Sequence, residues 1–145
     1  VDRERDLEAL IVGAHALTRI AALDTRSETP SAQWRTLAIL REGGPQRLGD
    51  LARISRVSQP GMTRLIKTMS EAGLVERTHD PDDSRVVRVD VTDAGVDAYF
   101  AWRKELTAAL IPRFSGLSDA DWAAIRRTAE IAAAITDGIG DPDAP

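Results

Sequence analysis

The sequence contains no cysteine. That excludes disulfides, thiolate zinc sites and thiol-based redox sensing in one step. Histidine is nearly as scarce, with only His15 and His79, far apart in the chain. No spacing of histidines and carboxylates advertises a metal site, so neither a metal nor a cofactor is expected. Long hydrophobic runs are missing too. The longest apolar stretches, such as residues 131–135, fall far short of a bilayer crossing. The opening run Val1-Asp2-Arg3-Glu4-Arg5-Asp6 is charged, with no apolar signal core behind it. A cytoplasmic chain without a membrane partner is therefore expected. Catalytic signatures are also lacking: there is no GxSxG elbow, P-loop or HExxH, and neither histidine has an obvious nucleophile partner. The chain is not expected to be an enzyme.

What is present fits a globular protein. The 145 residues amount to one domain by length and can bury a core without a staple. With 43% hydrophobic and 29% charged residues, the chain is neither disordered nor membrane-spanning. The net charge of −4 argues by itself against a nucleic-acid binder. Its distribution changes that reading. Residues 41–90 hold nine basic and eight acidic side chains, a net of +1, which leaves −5 for the two ends. A near-neutral centre between acidic flanks suits a DNA-contacting module carried on a non-contacting scaffold. Acidic flanks are also ordinary solvated helix faces.

Periodicity orders the elements. Leu7, Leu10, Ile11, Ala14, Leu17 and Ala21 recur at helical spacing and predict a helix over residues 3–24. Thr29 and Pro30 read as the cap and first turn of a second helix, which Gly43-Gly44-Pro45 ends. Residues 48–54 form a short helix, and Ser55 to Val57 a tight connector. Ser58 caps the next helix, whose Met62, Leu65, Ile66 and Met69 make an i, i+3, i+4, i+7 stripe. Gly73 is placed to end it in a left-handed conformation. Strands are predicted over 74–78 and 86–91, joined by the polar loop His79-Asp80-Pro81-Asp82-Asp83-Ser84-Arg85. Thr92 caps a long helix over 93–111, which Pro112 bends or ends. Ser118 and Asp121 form a capping box for a last helix over 119–136. Residues 138–145 read as a frayed tail.

The fold class is therefore mainly α with a small β-hairpin (α+β). A short helix, a three-residue turn and a second helix with a polar start make a helix-turn-helix. The apolar stripe turns Met62, Leu65, Ile66 and Met69 inward. Gln59, Thr63, Arg64 and Lys67 then face outward, with Ser58, Pro60 and Gly61 at the tip. The major groove admits one helix, and the first turn of that helix meets base edges. Gln59 can pair with adenine and Arg64 with guanine; Thr63 can meet phosphate or a thymine methyl group. Arg53 and Arg56 are placed for phosphates. A solvated surface helix would carry the same residue types. The hairpin that follows, with a basic residue at the base of a polar loop, reads as a wing and favours duplex DNA.

At these residues the chain resembles the MarR family. The runs that carry the likeness are Gln33-Trp34-Arg35-Thr36-Leu37, Leu48-Gly49-Asp50-Leu51-Ala52 and Val57 through Ile66. Gly73-Leu74-Val75-Glu76-Arg77, Asp83-Ser84-Arg85 and Val91-Thr92-Asp93-Ala94-Gly95 complete the series. The resemblance implies a winged helix-turn-helix transcription regulator, a repressor released by a small ligand, acting as a triangular homodimer on a pseudo-palindromic operator. It makes the helix from Ser58 the recognition helix. It places Arg77 with the DNA-contacting residues, and matches Asp83 and Arg85 to a wing Asp-x-Arg motif whose arginine enters the minor groove. A local surface ion pair is the plainer alternative for that pair.

The resemblance also divides the chain. Residues 1–28 and 93–137 become the N- and C-terminal dimerisation helices, and 29–92 the DNA-binding region. The residues agree in part. Leu7, Leu10, Ile11, Leu17, Trp122, Ile125, Ala129, Ala132 and Ile135 form stripes that a homodimer interface would bury economically. Having no cysteine and no histidine cluster, the chain departs from thiol-oxidation and zinc-responsive members. For an effector, the resemblance implies a small anionic or phenolic compound, for which His15, Arg19, Trp34 and Tyr99 are the candidate ligand-binding residues. Core or inter-helix packing is the plainer role for each. The competing function is a winged-helix module that docks protein or RNA without reading an operator.

Overall fold

A computed structural model of the protein describes residues 1–137; the expected tail over 138–145 lies outside the described residues. The order is α1 (Arg3–Asp24), α2 (Ser31–Gly43), β1 (Gln46–Arg47), α3 (Leu48–Ser55), α4 (Gln59–Glu71), β2 (Val75–His79), β3 (Val87–Val91), α5 (Asp93–Leu110), a 3-10 turn (Ile111–Phe114) and α6 (Asp119–Thr136). The chain forms two compact units, Val1–Glu28 with Ala101–Ile125, and Thr29–Phe100 with the described residues from Arg126 onward.

In the first unit, Asp2 caps α1 by accepting the Arg5 N–H at 3.1 Å, and Glu4 and Asp6 suit the positive end of the helix dipole. Of its residues only Ala21 is buried. Leu7, Leu10, Ile11 and Leu17, the expected stripe, are exposed. The end of α1 is tied to the 3-10 turn by Arg113, which donates from Nε and Nη2 to Asp24 Oδ2 at 3.2 and 3.0 Å. Phe114 lies against Trp122, ring centroids 5.9 Å apart. The capping box forms as read: the Ser118 N–H donates to Asp121 Oδ2 at 2.9 Å and the Asp121 N–H to Ser118 Oγ at 3.2 Å.

The second unit holds a continuous core. Leu37, Leu40, Leu51, Met62, Ile66, Met69, Val75 and Val89 are fully or almost fully buried, each worth about 1.5–3 kcal/mol of transfer free energy. These residues clamp α2, α3 and α4 onto one face of a small antiparallel sheet. Its strand order is β1-β3-β2. Along β2–β3 the register runs from Val75 opposite Val91 to His79 opposite Val87. Gly73 ends α4 at φ 74°, in the left-handed region expected of it. Thr92 then bonds the end of α4 to the start of α5. Its Oγ donates to the Gly73 carbonyl at 2.6 Å and accepts the Gly95 N–H at 3.0 Å.

Two local readings differ from the structure. Thr29 does not cap α2. Pro30 occupies the cap position, no side chain bonds there, and helical geometry begins at Ser31. The strand β1 was not foreseen, because two residues cannot display a period. It exists through its partner: Gln46 and Arg47 pair with Val89 and Arg88.

Candidate nucleic-acid interface

The reading helix is built from its N-terminus. Arg56 caps α3 at φ 55°, a left-handed conformation that reverses the chain within one residue. Ser58 then accepts the Gly61 N–H at 3.1 Å and starts α4. A Cβ on Gly61 would sit 2.9 Å from Ser58 Oγ and 3.1 Å from Val57 Cγ1, so a larger residue there would crowd the cap. From there the apolar stripe fixes rotation. Met62, Ile66 and Met69 are buried, Leu65 is half-buried, and Gln59, Thr63, Arg64 and Lys67 are exposed. Thr63 donates its hydroxyl proton to the Gln59 carbonyl at 2.9 Å, which leaves its oxygen as an acceptor. Arg53 and Arg56 are exposed at the end of α3, with Arg53 3.7 Å from Asp50. Arg35 on α2 reaches the Ser55 carbonyl at 3.4 Å and braces this corner.

The wing is equally local in origin. The Asp80 N–H donates to the Val86 carbonyl at 2.8 Å, and the Val86 N–H to Asp83 at 2.9 Å, closing the loop after β2. Arg85 donates from Nε to Asp83 Oδ1 and from Nη2 to Oδ2, both at 3.1 Å. Its side chain is nevertheless 89% exposed. The Arg85 side chain and backbone N–H hold the Asp83 carboxyl below the ordinary carboxylate range, and Asp83 raises the Arg85 guanidinium in turn. Arg77, on β2 opposite Val89, is exposed.

One acid escaped notice in the sequence. Asp80 read only as part of a polar loop, yet it is buried. It accepts the Asp82 N–H at 2.9 Å, and its Oδ2 lies 3.3 Å from Arg47 Nε and 3.7 Å from Arg88 Nε. The Asp82 N–H, then Arg47 and Arg88, hold its carboxyl below the ordinary range against the opposing effect of burial.

These elements enclose a cleft of about 340 Å³ lined by Arg47, Leu48, Gly49, Asp50, Gln59, Arg85, Val86 and Val87. It brings together Gln59 from the start of α4 and Arg85 from the wing, residues 26 positions apart in sequence. The candidate ligand residues fall in both units. His15 and Arg19 are exposed on α1 in the first unit, whereas Trp34 is half-buried and Tyr99 buried in the second. The Tyr99 ring lies 5.7 Å from Phe100, and the Arg41 guanidinium stands 5.5 Å from its centroid. Among the described residues no group of three or more His, Cys, Asp or Glu is placed to hold a metal ion. No helix among them is long and apolar enough to cross a membrane.

Comparison with known proteins gives a consistent result. The sequence model of the MarR family matches residues 30–87. An HTH-type transcriptional regulator of Mycobacterium tuberculosis is 31% identical over 106 residues, which cover 73% of this chain and 74% of that protein. The HTH-type transcriptional repressor IacR of Pseudomonas putida is 30% identical over 100 residues, 68% of this chain; the match spans 59% of that protein's length. Among solved structures, wild-type MarR from Escherichia coli in its apo form superposes with a TM-score of 0.68 at 17% identity. That likeness covers 91% of this chain and 97% of the other, and it is a likeness of fold.

Proposed function

This chain belongs to the MarR family of winged helix-turn-helix transcription regulators, and on that premise we propose that it reads a pseudo-palindromic operator in duplex DNA as a homodimer. One observation carries the reading. The exposed polar start of α4 and the exposed wing arginine line the same cleft. A helix seated in the major groove and an arginine in the neighbouring minor groove need that proximity. Gln59, Arg64 and Thr63 read bases; Arg53, Arg56, Lys67 and Arg77 meet phosphates; Ser58, Pro60 and Gly61 set the tip of the helix; Arg85, held by Asp83, enters the minor groove.

The homodimer is supported by α1 and α6. Leu7, Leu10 and Ile11 on one, and Trp122, Ile125, Ile131 and Ile135 on the other, are exposed. Apolar surface of that kind favours burial against a second copy. Repression is the working mode, as in the Pseudomonas putida repressor that the chain resembles. Release by a small anionic or phenolic compound completes the proposal. The experiment is a titration of duplex DNA at several salt concentrations. Steep salt dependence with a preferred sequence supports operator recognition; salt-insensitive or absent binding supports the protein-docking alternative.

A further inference from the structure

Two arginines face each other in the small sheet. Arg47 on β1 is in register with Arg88 on β3. Like charges directly opposed across a ladder repel, so the pairing needs a compensating acid. A single acid answers both. Asp80 Oδ2 lies 3.3 Å from one Nε and 3.7 Å from the other, while Oδ1 is occupied by the Asp82 N–H. Asp83 also acts on Arg47 electrostatically, but Arg85 grips both of its carboxylate oxygens, so three arginines face two acids and one positive charge is left over.

The uncompensated charge is not hidden. The Asp80 side chain is 3% exposed, but that of Arg47 is 53% exposed. Arg47 also lines the cleft shared by Gln59 and Arg85. Asp50, the acid on that cleft wall, lies 3.7 Å from Arg53. A duplex that offers one groove to Gln59 and the adjacent groove to Arg85 must carry a phosphodiester strand between them. That strand separates the grooves, and the cleft separates the two residues.

We propose that Arg47 seats a backbone phosphate of the DNA strand that crosses between the recognition helix and the wing, and that buried Asp80 is its positioning residue. The phosphate supplies the negative charge that the cluster lacks. Asp80 holds the guanidinium stem, so less side-chain freedom is lost on docking. Because the contact is to phosphate, it adds affinity without sequence preference. The inference rests on the DNA-binding reading above.

The test is fluorescence anisotropy with a selected operator duplex and an unrelated duplex, across a salt series. The proteins are wild type, Arg47→Gln, Arg47→Lys, Asp80→Asn and the double variant Arg47→Gln/Asp80→Asn, each checked for folding by circular dichroism. Arg47→Gln is expected to weaken both duplexes by a similar factor, and to reduce the log–log salt slope by about 1.8, about 0.9 for each protomer of the dimer. Arg47→Lys keeps the charge and restores most of that slope. Asp80→Asn weakens binding when Arg47 is present and adds little when it is gone. A neutral methylphosphonate at one backbone position in each half-site reproduces the loss in wild type and has no effect on Arg47→Gln. Wild-type affinity and slope in folded Arg47→Gln overturn this inference alone. A wild-type protein that binds neither duplex overturns the DNA-binding reading, and this inference with it.

Discussion

Arg85 is gripped by Asp83 through two nitrogens at 3.1 Å, yet its guanidinium stands almost wholly in solvent. An exposed ion pair of this sort contributes little to stability. Under the proposed reading, the carboxylate keeps the exposed guanidinium oriented for the minor groove. Arg85→Ala is therefore expected to leave the thermal midpoint nearly unchanged. It should lower affinity for every duplex and make the salt dependence shallower, because a minor-groove arginine reads charge and groove width. Calorimetry and a salt-series titration on one preparation check both halves.

Gln59 and Arg64 are expected to act differently. Both are exposed on the face of α4 opposite Met62, Ile66 and Met69. Each good bidentate contact to a base is worth roughly 1–3 kcal/mol of discrimination. Gln59→Ala and Arg64→Ala should each flatten base preference at one position per half-site. Binding-site selection on the variants measures this directly. An unchanged motif from both would remove α4 as the reading helix.

Stability should depend on Asp80 in a pH-dependent way. Its carboxyl is held below the ordinary range by the Asp82 N–H, Arg47 and Arg88. The unfolded chain takes up that proton more readily. The stability it contributes is therefore complete above the ordinary aspartate value of about 3.9, and is lost as pH falls through the lower folded value. Urea unfolding at pH 7, 5 and 3 should show Asp80→Asn well below wild type at the first two, with the gap narrower at the third. A gap that stays constant over the whole range would contradict the cause assigned here.

Leu10 and Ile125 test the assembly. They are 46% and 38% exposed, large apolar side chains on α1 and α6. Leu10→Asp or Ile125→Asp should yield a folded monomer with weakened operator binding, as judged by sedimentation and anisotropy. A monomeric variant with full operator affinity would break the link between dimer and operator.

Gly95 tests the clasp between α4 and α5. A Cβ there would meet the Leu74 carbonyl oxygen and come 2.8 Å from Val91 Cγ2. Backbone cannot yield as a flexible side chain does. Gly95→Ala should cost about 1–3 kcal/mol, the usual range for overpacking, seen as a lower urea midpoint.

Much of this architecture was legible in the residues because its causes are local. The stripe Met62, Leu65, Ile66, Met69 fixed the face of α4, and Ser58, Gly73, Thr92 and Ser118 marked helix ends through bonds to groups a few residues away, save Thr92 Oγ, which also reaches back to Gly73. Asp83 and Arg85 were found through the MarR resemblance, and their ion pair spans two residues. What stayed hidden depends on distant pairing. Strand β1 exists only because Val89 and Arg88 lie beside it, and the Arg47–Asp80–Arg88 cluster joins three separated segments. Arg113 and Asp24 meet across 89 residues, with no spacing to announce it. Thr29 failed as a cap because Pro30 had already taken that position.

The central claim is that the start of α4 and the wing act together on one duplex. A binding-site selection from random duplex DNA, run on wild type, Gln59→Ala and Arg85→Ala at two salt concentrations, tests it most directly. The expected wild-type motif is a pseudo-palindrome with half-site centres about one helical turn apart. Gln59→Ala should lose one base position per half-site, and Arg85→Ala should keep the motif but bind more weakly. A single asymmetric element, or no enriched sequence at all, would contradict the account.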